Sequence, residues 1–327
     1  MPTIYDVAKL ANVSTYTVSC VLNKSAYVSP ELTGRVLAAV KELDYTPNAV
    51  ARSLQTRSTK TVAMLIPTIG NPFYANVVRG VEDRLRKDGY SLLIGNTYDE
   101  QAEQVRYLNL FKARQADAVL LFIVPEGEED VAKLVSAKRP VVCVGRVPNS
   151  FESDSVSANN VHGTQLAIEH LVAKGHKTIA IVTGHTTLST STDRIEGWRR
   201  TLKKHKLPCS DTLIETSDHT EVAGCEATLR LLDREPKATA IFASNFPLMT
   251  GVVRALKVRN LAVPREVEVA SSDDSDWLDI FNPPVTTVAQ PAYEMGAGAA
   301  DLALLRIKDN NRPFTKVVLE PVLHPRG

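Results

Sequence analysis

Residues 3–23 read Thr3-Ile-Tyr-Asp-Val-Ala-Lys-Leu-Ala-Asn-Val-Ser-Thr-Tyr-Thr-Val-Ser-Cys-Val-Leu-Asn23, and their spacing predicts two short helices joined by a tight turn. Thr3 followed by Asp6 is a capping-box start for the first helix. Val7, Ala8, Leu10 and Ala11 give that helix one apolar side, and Asn12-Val13 breaks the run. Ser14 is a favourable N-cap for a second helix from about Thr15 to Leu22. At about 100° per residue, Val18, Val21 and Leu22 share the face that packs on the first helix. Tyr16 and Cys20 then point the opposite way, flanked by Thr17 and Ser19, with Thr15 at the exposed tip. The outward face is small, polar and aromatic, and carries no charge.

Two helices in this relation have the form of a helix-turn-helix, whose second helix enters the DNA major groove N-terminus first. An ordinary pair of packed helices in a helical domain is the alternative. After the loop Lys24-Ser-Ala-Tyr-Val28, Ser29-Pro30-Glu31 opens a third helix: Ser as N-cap, Pro in the first turn, an acid near the positive end of the dipole. Leu32, Val36, Val40 and Leu43 form its expected buried stripe. Three short helices around one small core predict a headpiece over residues 1–46, marginally stable at that size. The next segment, 47–58, contains Pro47 and an apolar edge of Val50, Ala51 and Leu54. Its roughly two turns are too short to hold a helix alone in water. It is expected to be a linker that becomes helical only against a partner, or else a plain tether.

From Thr61 the pattern changes. Thr61–Pro67, Ser91–Gly95, Ala118–Val124 and Val141–Val144 are apolar strand runs, with helical patterns over 73–87 and 100–113. After Asn159 the alternation starts again: helix 161–174, strand 178–182, helix 191–205, strand 212–215, helix 221–233, strand 238–242, helix 246–258, strand 267–270. Strands alternating with helices at this spacing predict an α/β fold of parallel sheets with right-handed crossovers, in two similar subdomains. Ligands in such sheets bind outside the carboxyl ends of the strands, and here between the lobes as well.

Composition narrows the function. The chain has 327 residues, 44% hydrophobic and 23% charged, with a net charge of +1. Residues 1–60 hold seven Lys/Arg and four acids, so a basic head of +3 precedes a body of −2. That asymmetry suits a DNA-reading module on a sensing domain. No run approaches the roughly 18 apolar residues of a membrane span. The start Met-Pro-Thr-Ile-Tyr-Asp resembles no secretory signal. Cys20, Cys143, Cys209 and Cys225 are far apart, which favours reduced thiols over disulfides or zinc. A cytoplasmic protein without cofactor or metal is expected. No Gly-x-Gly-x-x-Gly, Walker loop, Gly-x-Ser-x-Gly or His-Glu-x-x-His is present, so an enzyme is not expected. A solute-binding protein would share the two-lobed core but not the headpiece.

The chain resembles the LacI/GalR family of bacterial transcription regulators, essentially end to end. The resemblance is carried by Ile4-Tyr-Asp-Val-Ala-Lys9, Ala11-Asn-Val-Ser14, Thr17-Val-Ser19, Val21-Leu-Asn23 and Val28-Ser29. It continues through Leu43-Asp-Tyr-Thr-Pro-Asn48 and Ala49-Val-Ala-Arg-Ser-Leu54. In the body it rests on Asn71-Pro-Phe-Tyr74, His170-Leu171, Gly175-His176, Arg194-Ile-Glu-Gly-Trp198, Ser272-Asp273 and Thr286-Thr-Val-Ala-Gln-Pro291. It implies a periplasmic-binding-protein-like core over 61–327, with one subdomain near 61–158 and 291–316 and the other near 161–288 and 318–327. It also implies a homodimeric repressor on a pseudo-palindromic operator, with Thr15, Tyr16 and Cys20 at base edges. Paired linker helices, including Ala51, would wedge Leu54 into the minor groove. A small sugar-like effector between the subdomains would change DNA affinity, unless a protein corepressor controls it.

Read directly, Thr15, Tyr16 and Cys20 supply no Arg, Asn or Gln, the usual bidentate base readers. Readout then leans on the Tyr16 ring, on van der Waals contact with thymine methyls, and on the hydroxyls of Ser14, Thr15, Thr17 and Ser19. Cys20 is either part of that surface or a small filler. Lys24 and Tyr45 are expected at phosphates, which position without specifying.

For the effector, the resemblance implies a cleft lined by Tyr74, Arg146, Arg194, His219, Asn245 and Asp273. The alternatives are helix-start packing for Tyr74, solvated loop positions for Arg146 and His219, and an N-cap for Asn245. Phe246 and Ala158 stand where relatives often carry acids. With those acids gone, Arg146, Arg194 and His219 would face an anion, so a sugar phosphate or sugar acid is expected ahead of a neutral sugar.

Overall fold

The computed structural model describes residues 2–23, 25–45 and 58–326. They form two compact units, residues 1–59 and 60–327. The linker positions Ala51 and Leu54, and Lys24 in the headpiece, lie outside the described residues.

The first unit is helical: α1 (Ile4–Ala11), α2 (Thr15–Asn23) and α3 (Pro30–Glu42). The Thr3 and Asp6 side chains cap each other's backbone amides, and Asn12 closes α1 with φ 50°, a left-handed conformation Asn tolerates. Ser14 Oγ accepts from Thr17 N at 3.0 Å and Ser29 Oγ from Leu32 N at 3.4 Å. The core is Val7, Ala8, Ala11, Val18, Val36 and Ala39, with Val21, Leu22, Val40, Leu43 and Tyr45 packed around it. Leu10 departs from the expected apolar side and is 46% exposed. Arg35 on α3 donates to the carbonyls of Ala11 (2.6 Å) and Asn12 (3.0 Å), so a charged fork fixes the turn between α1 and α2.

The second unit holds two six-stranded sheets. The N-lobe contains β1 (Thr61–Ile66), α4 (Pro72–Arg86), β2 (Ser91–Asn96), α5 (Gln101–Ala113), β3 (Ala118–Leu121), α6 (Glu128–Ser136), β4 (Val141–Val144) and β5 (Asp154–Ala158). The C-lobe contains α7 (Asn160–Ala173), β6 (Ile179–Thr183), α8 (Ser189–Lys204), β7 (Ile214–Thr216), α9 (Glu221–Arg234), β8 (Ala240–Ala243), α10 (Phe246–Val258), β9 (Glu268–Ser272) and β10 (Thr286–Ala289). The chain returns to the N-lobe for α11 (Ala292–Lys308) and β11 (Lys316–Leu319), then adds β12 (Val322–His324) to the C-lobe. The strand orders are β11-β5-β4-β3-β1-β2, parallel throughout, and β12-β10-β9-β8-β6-β7, with only β12 antiparallel.

Strands buried on both faces explain the uninterrupted apolar runs: Val62 to Ile66 and Ile179 to Val182 are almost wholly inaccessible. Helices α4 and α11 cross at glycines. A Cβ on Gly80 would lie 2.1 Å from the Tyr293 carbonyl oxygen, and one on Gly296 2.0 Å from that of Val77. Three features differ from the expected pattern. Residues 211–213 form a 3-10 turn, so β7 starts at Ile214. Strand β5 and helix α6 interrupt what read as loop. The alternation also continues past residue 270, through β10, α11, β11 and β12. No described helix is long and apolar enough to cross a membrane.

Candidate functional site

On the headpiece, Tyr16 is 73% exposed. Thr15, Thr17 and Ser19 are half-buried and Ser14 is exposed. The hydroxyls of Ser14 and Thr17 pair with each other at 2.9 Å, and Ser19 Oγ accepts from Asn23 at 3.2 Å. Cys20 corrects the outward reading: it is only 3% exposed. The Tyr16 side chain, one turn earlier on the same face, lies against its thiol, and this contact raises the Tyr16 hydroxyl pKa above its ordinary value. The small thiol fills space beneath the tyrosine. Tyr45 packs against the headpiece core, so its ring is structural as well. Tyr5 and Tyr27, neither of them among the expected DNA contacts, are 74% and 90% exposed.

In the core, the carboxyl ends of the strands of both lobes face one cleft, as crossover geometry requires. Asn71 and Tyr74 follow β1, Asp99 follows β2, Phe122 follows β3 and Arg146 follows β4. Across the cleft, Arg194 stands in the helix after β6, His219 follows β7, Asn245 β8, Asp273 β9 and Gln290 β10. Tyr74, Arg146, Arg194, His219, Asn245 and Asp273 line one cavity of about 30 Å³, beside a wider mouth of about 830 Å³. Roughly two waters fit the inner space at about 10–15 Å³ each. A sugar therefore enters this inner space only if side chains or lobes move.

One end of the cavity is aromatic. Tyr74 meets Phe122 edge to face at 4.9 Å and Phe73 at 5.2 Å. Tyr74 is thus packed at its helix start and borders the cleft as well. Burial keeps its hydroxyl protonated far above the ordinary range. Asn245 Oδ1 caps α10 by accepting from Leu248 N at 2.9 Å, so its N-cap role holds and only part of its amide is left for a ligand.

Arg146 and His219 are not solvated loop residues. Arg146 is 4% exposed and donates to the Ile123 carbonyl at 2.8 Å. Its two terminal nitrogens engage both oxygens of Asp99, Nη2 to Oδ2 at 3.0 Å. His219 Nδ1 lies 3.2 Å from Asp99 Oδ2. Burial alone would raise the Asp99 pKa, but the Arg146 charge and the bonds from His219 and Arg146 outweigh it and hold this carboxyl well below the usual range. Burial pushes the His219 imidazole down, more than the Asp99 bond lifts it.

On the other side, Asp273 has φ 68°. It accepts from Asn71 Nδ2 at 3.1 Å, Gln290 Nε2 at 2.7 Å and the Phe246 amide at 3.3 Å. Arg194 is 6% exposed, and its Nε has no hydrogen-bond partner among the described residues. Burial lowers its pKa while nearby Asp273 raises it.

These contacts remove one premise of the argument for an anion, that few carboxylates lie beside the arginines. Two arginines face two carboxylates, and His219 is pushed toward its neutral form. Asp99 supplies the negative charge that Phe246 and Ala158 do not. It lies 47 positions before Arg146 in the chain, after a different strand, so no local motif announces it. Phe246 instead stacks edge to face on Trp277 at 5.3 Å, and Ala158 is buried at the end of β5. Among the described residues no group of three or more His, Cys, Asp or Glu could hold a metal ion.

Comparison with known proteins agrees with this arrangement. The model for bacterial regulatory proteins of the lacI family matches residues 3–48, and that for a periplasmic binding protein-like domain matches 168–327. The chain is 36% identical over 329 aligned positions to the ribose operon repressor of Escherichia coli (strain K12), covering 100% of this chain and 99% of that one. It is 35% identical to the HTH-type transcriptional repressor PurR of Aliivibrio salmonicida, covering 95% and 94%. A solved lacI-family transcriptional regulator from Enterococcus faecium with bound ribose superposes with a TM-score of 0.72 at 28% identity, covering 81% and 97%. With its helical headpiece and its two-lobed core of parallel sheets, the chain belongs to the lacI family of bacterial regulatory proteins, and it is a regulator rather than an enzyme.

Proposed function

We propose that this protein is a transcriptional repressor that binds a pseudo-palindromic operator as a homodimer and releases or grips it according to a neutral monosaccharide held between the core lobes. The balanced charge of the cleft carries the sugar reading. Arg146 is neutralised by Asp99 and Arg194 faces Asp273, while the aromatic trio at one end offers apolar surface to a sugar ring. Paired donors and acceptors suit vicinal hydroxyls, whereas a phosphate placed on Arg146 would have to displace Asp99. The ribose operon repressor and the ribose-bound regulator among the similar proteins point to a pentose. An effector acts here by linkage: it changes operator affinity only as far as it binds the two lobe arrangements differently.

On the DNA side, Ser14, Thr15, Tyr16, Thr17 and Ser19 present the reading surface, with Lys24 and Tyr45 toward phosphates and Ala51 and Leu54 in the linker. Edge strand β2 exposes Leu93 and Ile94, apolar surface that a second copy would cover.

A thermal-shift series on the full chain tests the effector class, because a ligand of the native state raises the melting temperature with its occupancy. D-ribose is expected to stabilise the protein, and D-ribose 5-phosphate and D-ribonate are not. Stronger stabilisation by either anion than by ribose overturns the neutral reading. Operator titrations with and without ribose then read the linkage. Equal affinity in both would remove the sugar from control of DNA binding.

A further inference from the structure

The C-lobe leaves several buried polar atoms without a partner among the described residues, Thr183 Oγ1, Ser191 Oγ, Arg194 Nε, His219 Nε2 and Ser244 Oγ, and of these residues Arg194 and His219 line the cleft. A buried polar atom left in this state costs free energy until something satisfies it. Arg194 Nε can only donate, and hydroxyls rotate to do either. His219 Nε2 alone has its role fixed by another residue.

We propose that Asp99 fixes His219, which lines the cleft, as an obligate hydrogen-bond acceptor at Nε2, so that the site selects ligands bringing a donating hydroxyl to that atom and rejects a carboxylate or phosphate oxygen in the same place. The assignment follows from what each neighbour can do. An ionised carboxylate only accepts, so the 3.2 Å contact with Asp99 Oδ2 places the proton on Nδ1. Arg146 Nη2 stands 3.5 Å from the same nitrogen and would call for the opposite tautomer. That contact is longer, and Nη2 already donates to Asp99 at 3.0 Å. The shorter, charge-assisted bond decides. A neutral imidazole has one N–H, which leaves Nε2 with a bare lone pair. A second proton is opposed by burial and by the charges of Arg146 and Arg194, and only Asp99 favours it.

Nε2 lies against the backbone of Gly184, where a Cβ would come within 2.0 Å. The ring fits there because residue 184 has no side chain. Asp99 itself is carried by two successive left-handed residues, Tyr98 (φ 55°) and Asp99 (φ 60°), in the loop after β2. That loop carries a carboxylate of the N-lobe to a histidine of the C-lobe. Asp99 is therefore a positioning residue, acting on a ligand through the tautomer of His219.

This selection rests on the sugar reading; the tautomer does not. In the full chain labelled with ¹⁵N-histidine, two-bond proton–nitrogen correlations report the tautomer of each of the seven histidines, and His219→Gln identifies the signal. The expected pattern is protonated Nδ1 and bare Nε2, shifting toward protonated Nε2 in Asp99→Asn. Protonated Nε2 in the parent protein overturns the proposal whether or not any sugar binds. In the second arm, D-ribose is compared with its 2-deoxy, 3-deoxy and 5-deoxy forms. One of these is expected to bind more than tenfold more weakly, and to lose that penalty in His219→Phe. Equal binding of all four sugars to the parent overturns the selection while leaving the sugar reading intact. Failure of every sugar to bind refutes the sugar reading and the selection, and leaves the tautomer to be decided by the first arm.

Discussion

The two lobes carry the same sheet order and face the same cleft, yet they treat polar groups differently. On the N-lobe side Arg146 is bonded to Asp99 and to the Ile123 carbonyl, and the surface beside it is the Phe73, Tyr74 and Phe122 cluster. On the C-lobe side lie Thr183, Ser191, Arg194, His219 and Ser244, each with an unpartnered buried atom. The remaining such atom among the described residues, Thr164 Oγ1, is in the C-lobe too. Among the described residues the N-lobe leaves no such atom, whereas the C-lobe leaves six, two of them on residues that line the cleft. Stability and binding should therefore separate by lobe when matching residues are changed.

The two arginines give the largest expected effects, in opposite measurements. Arg146→Met leaves Asp99 buried without its main partner. Such a break costs about 3–5 kcal/mol, with the low end expected because Asp99 keeps some solvent contact. The melting temperature of the ligand-free protein should fall sharply. Arg194→Met removes a buried guanidinium with an unsatisfied Nε, and replacing a poorly paired buried charge by a similar apolar volume is often neutral or stabilising. Its melting temperature should hold or rise, while ribose affinity drops more than a hundredfold. Denaturation curves and calorimetric titrations of both variants check this. A comparable loss of stability in both would erase the difference between the lobes.

How much of this was legible in the sequence follows the same physics. The headpiece was readable because caps are local: Thr3 with Asp6, Ser14 with Thr17, and Ser29 with Leu32 act over three residues. The central strands were readable because burial on both faces forces unbroken apolar runs. Strand β5 was not, since Asp154-Ser-Val-Ser-Ala158 looks like a loop. It becomes a strand only between β4 and β11, with Asp154 held by Arg306 and Arg312 from far along the chain. Asp99 was missed for the same reason. Its partners Arg146 and His219 come from two other loops, and sheet topology alone brings them together. The outward placement of Cys20 failed differently, and its small-filler alternative holds: a helical wheel gives direction but does not show that the Tyr16 side chain lies against its neighbour.

A glycine on each lobe sharpens the contrast at intermediate size. Gly145 has φ 68°, and a Cβ there would lie 2.5 Å from the Phe122 ring. Gly145→Ala pays for the left-handed conformation, about 1–2 kcal/mol, and for moving a packed aromatic besides. Gly184 has no such backbone demand, and its Cβ would meet the end of the His219 side chain. Gly184→Ala should displace the imidazole and weaken ribose binding, with less stability lost than in Gly145→Ala. The reverse order of melting temperatures would contradict the assignment of rigidity to the N-lobe side.

The smallest expected effect is the response to acid, and it probes the Arg146–Asp99–His219 network that the lobes share. His219 has a folded pKa below its ordinary value of about 6.5, so between those two values the unfolded chain binds a proton that the folded one refuses. Its contribution to stability is therefore complete above about pH 6.5 and declines as the pH falls toward the folded value. Asp99 is also depressed, so its contribution is complete above the ordinary aspartate value of about 3.9 and is lost only below it. Acid should act in two stages: a shallow loss beginning below pH 6.5 that belongs to His219, then a steeper one below pH 4 to which Asp99 contributes. His170, also depressed by burial, adds to the first stage, so the parent curve alone does not identify the source. The difference between the parent and His219→Gln does. Between pH 6.5 and 5 the parent should lose melting temperature faster than the variant, and Asp99→Asn should flatten the second stage. Parallel curves for parent and His219→Gln across that interval would mean that His219 titrates alike in folded and unfolded chains, and that it is not held neutral between the lobes.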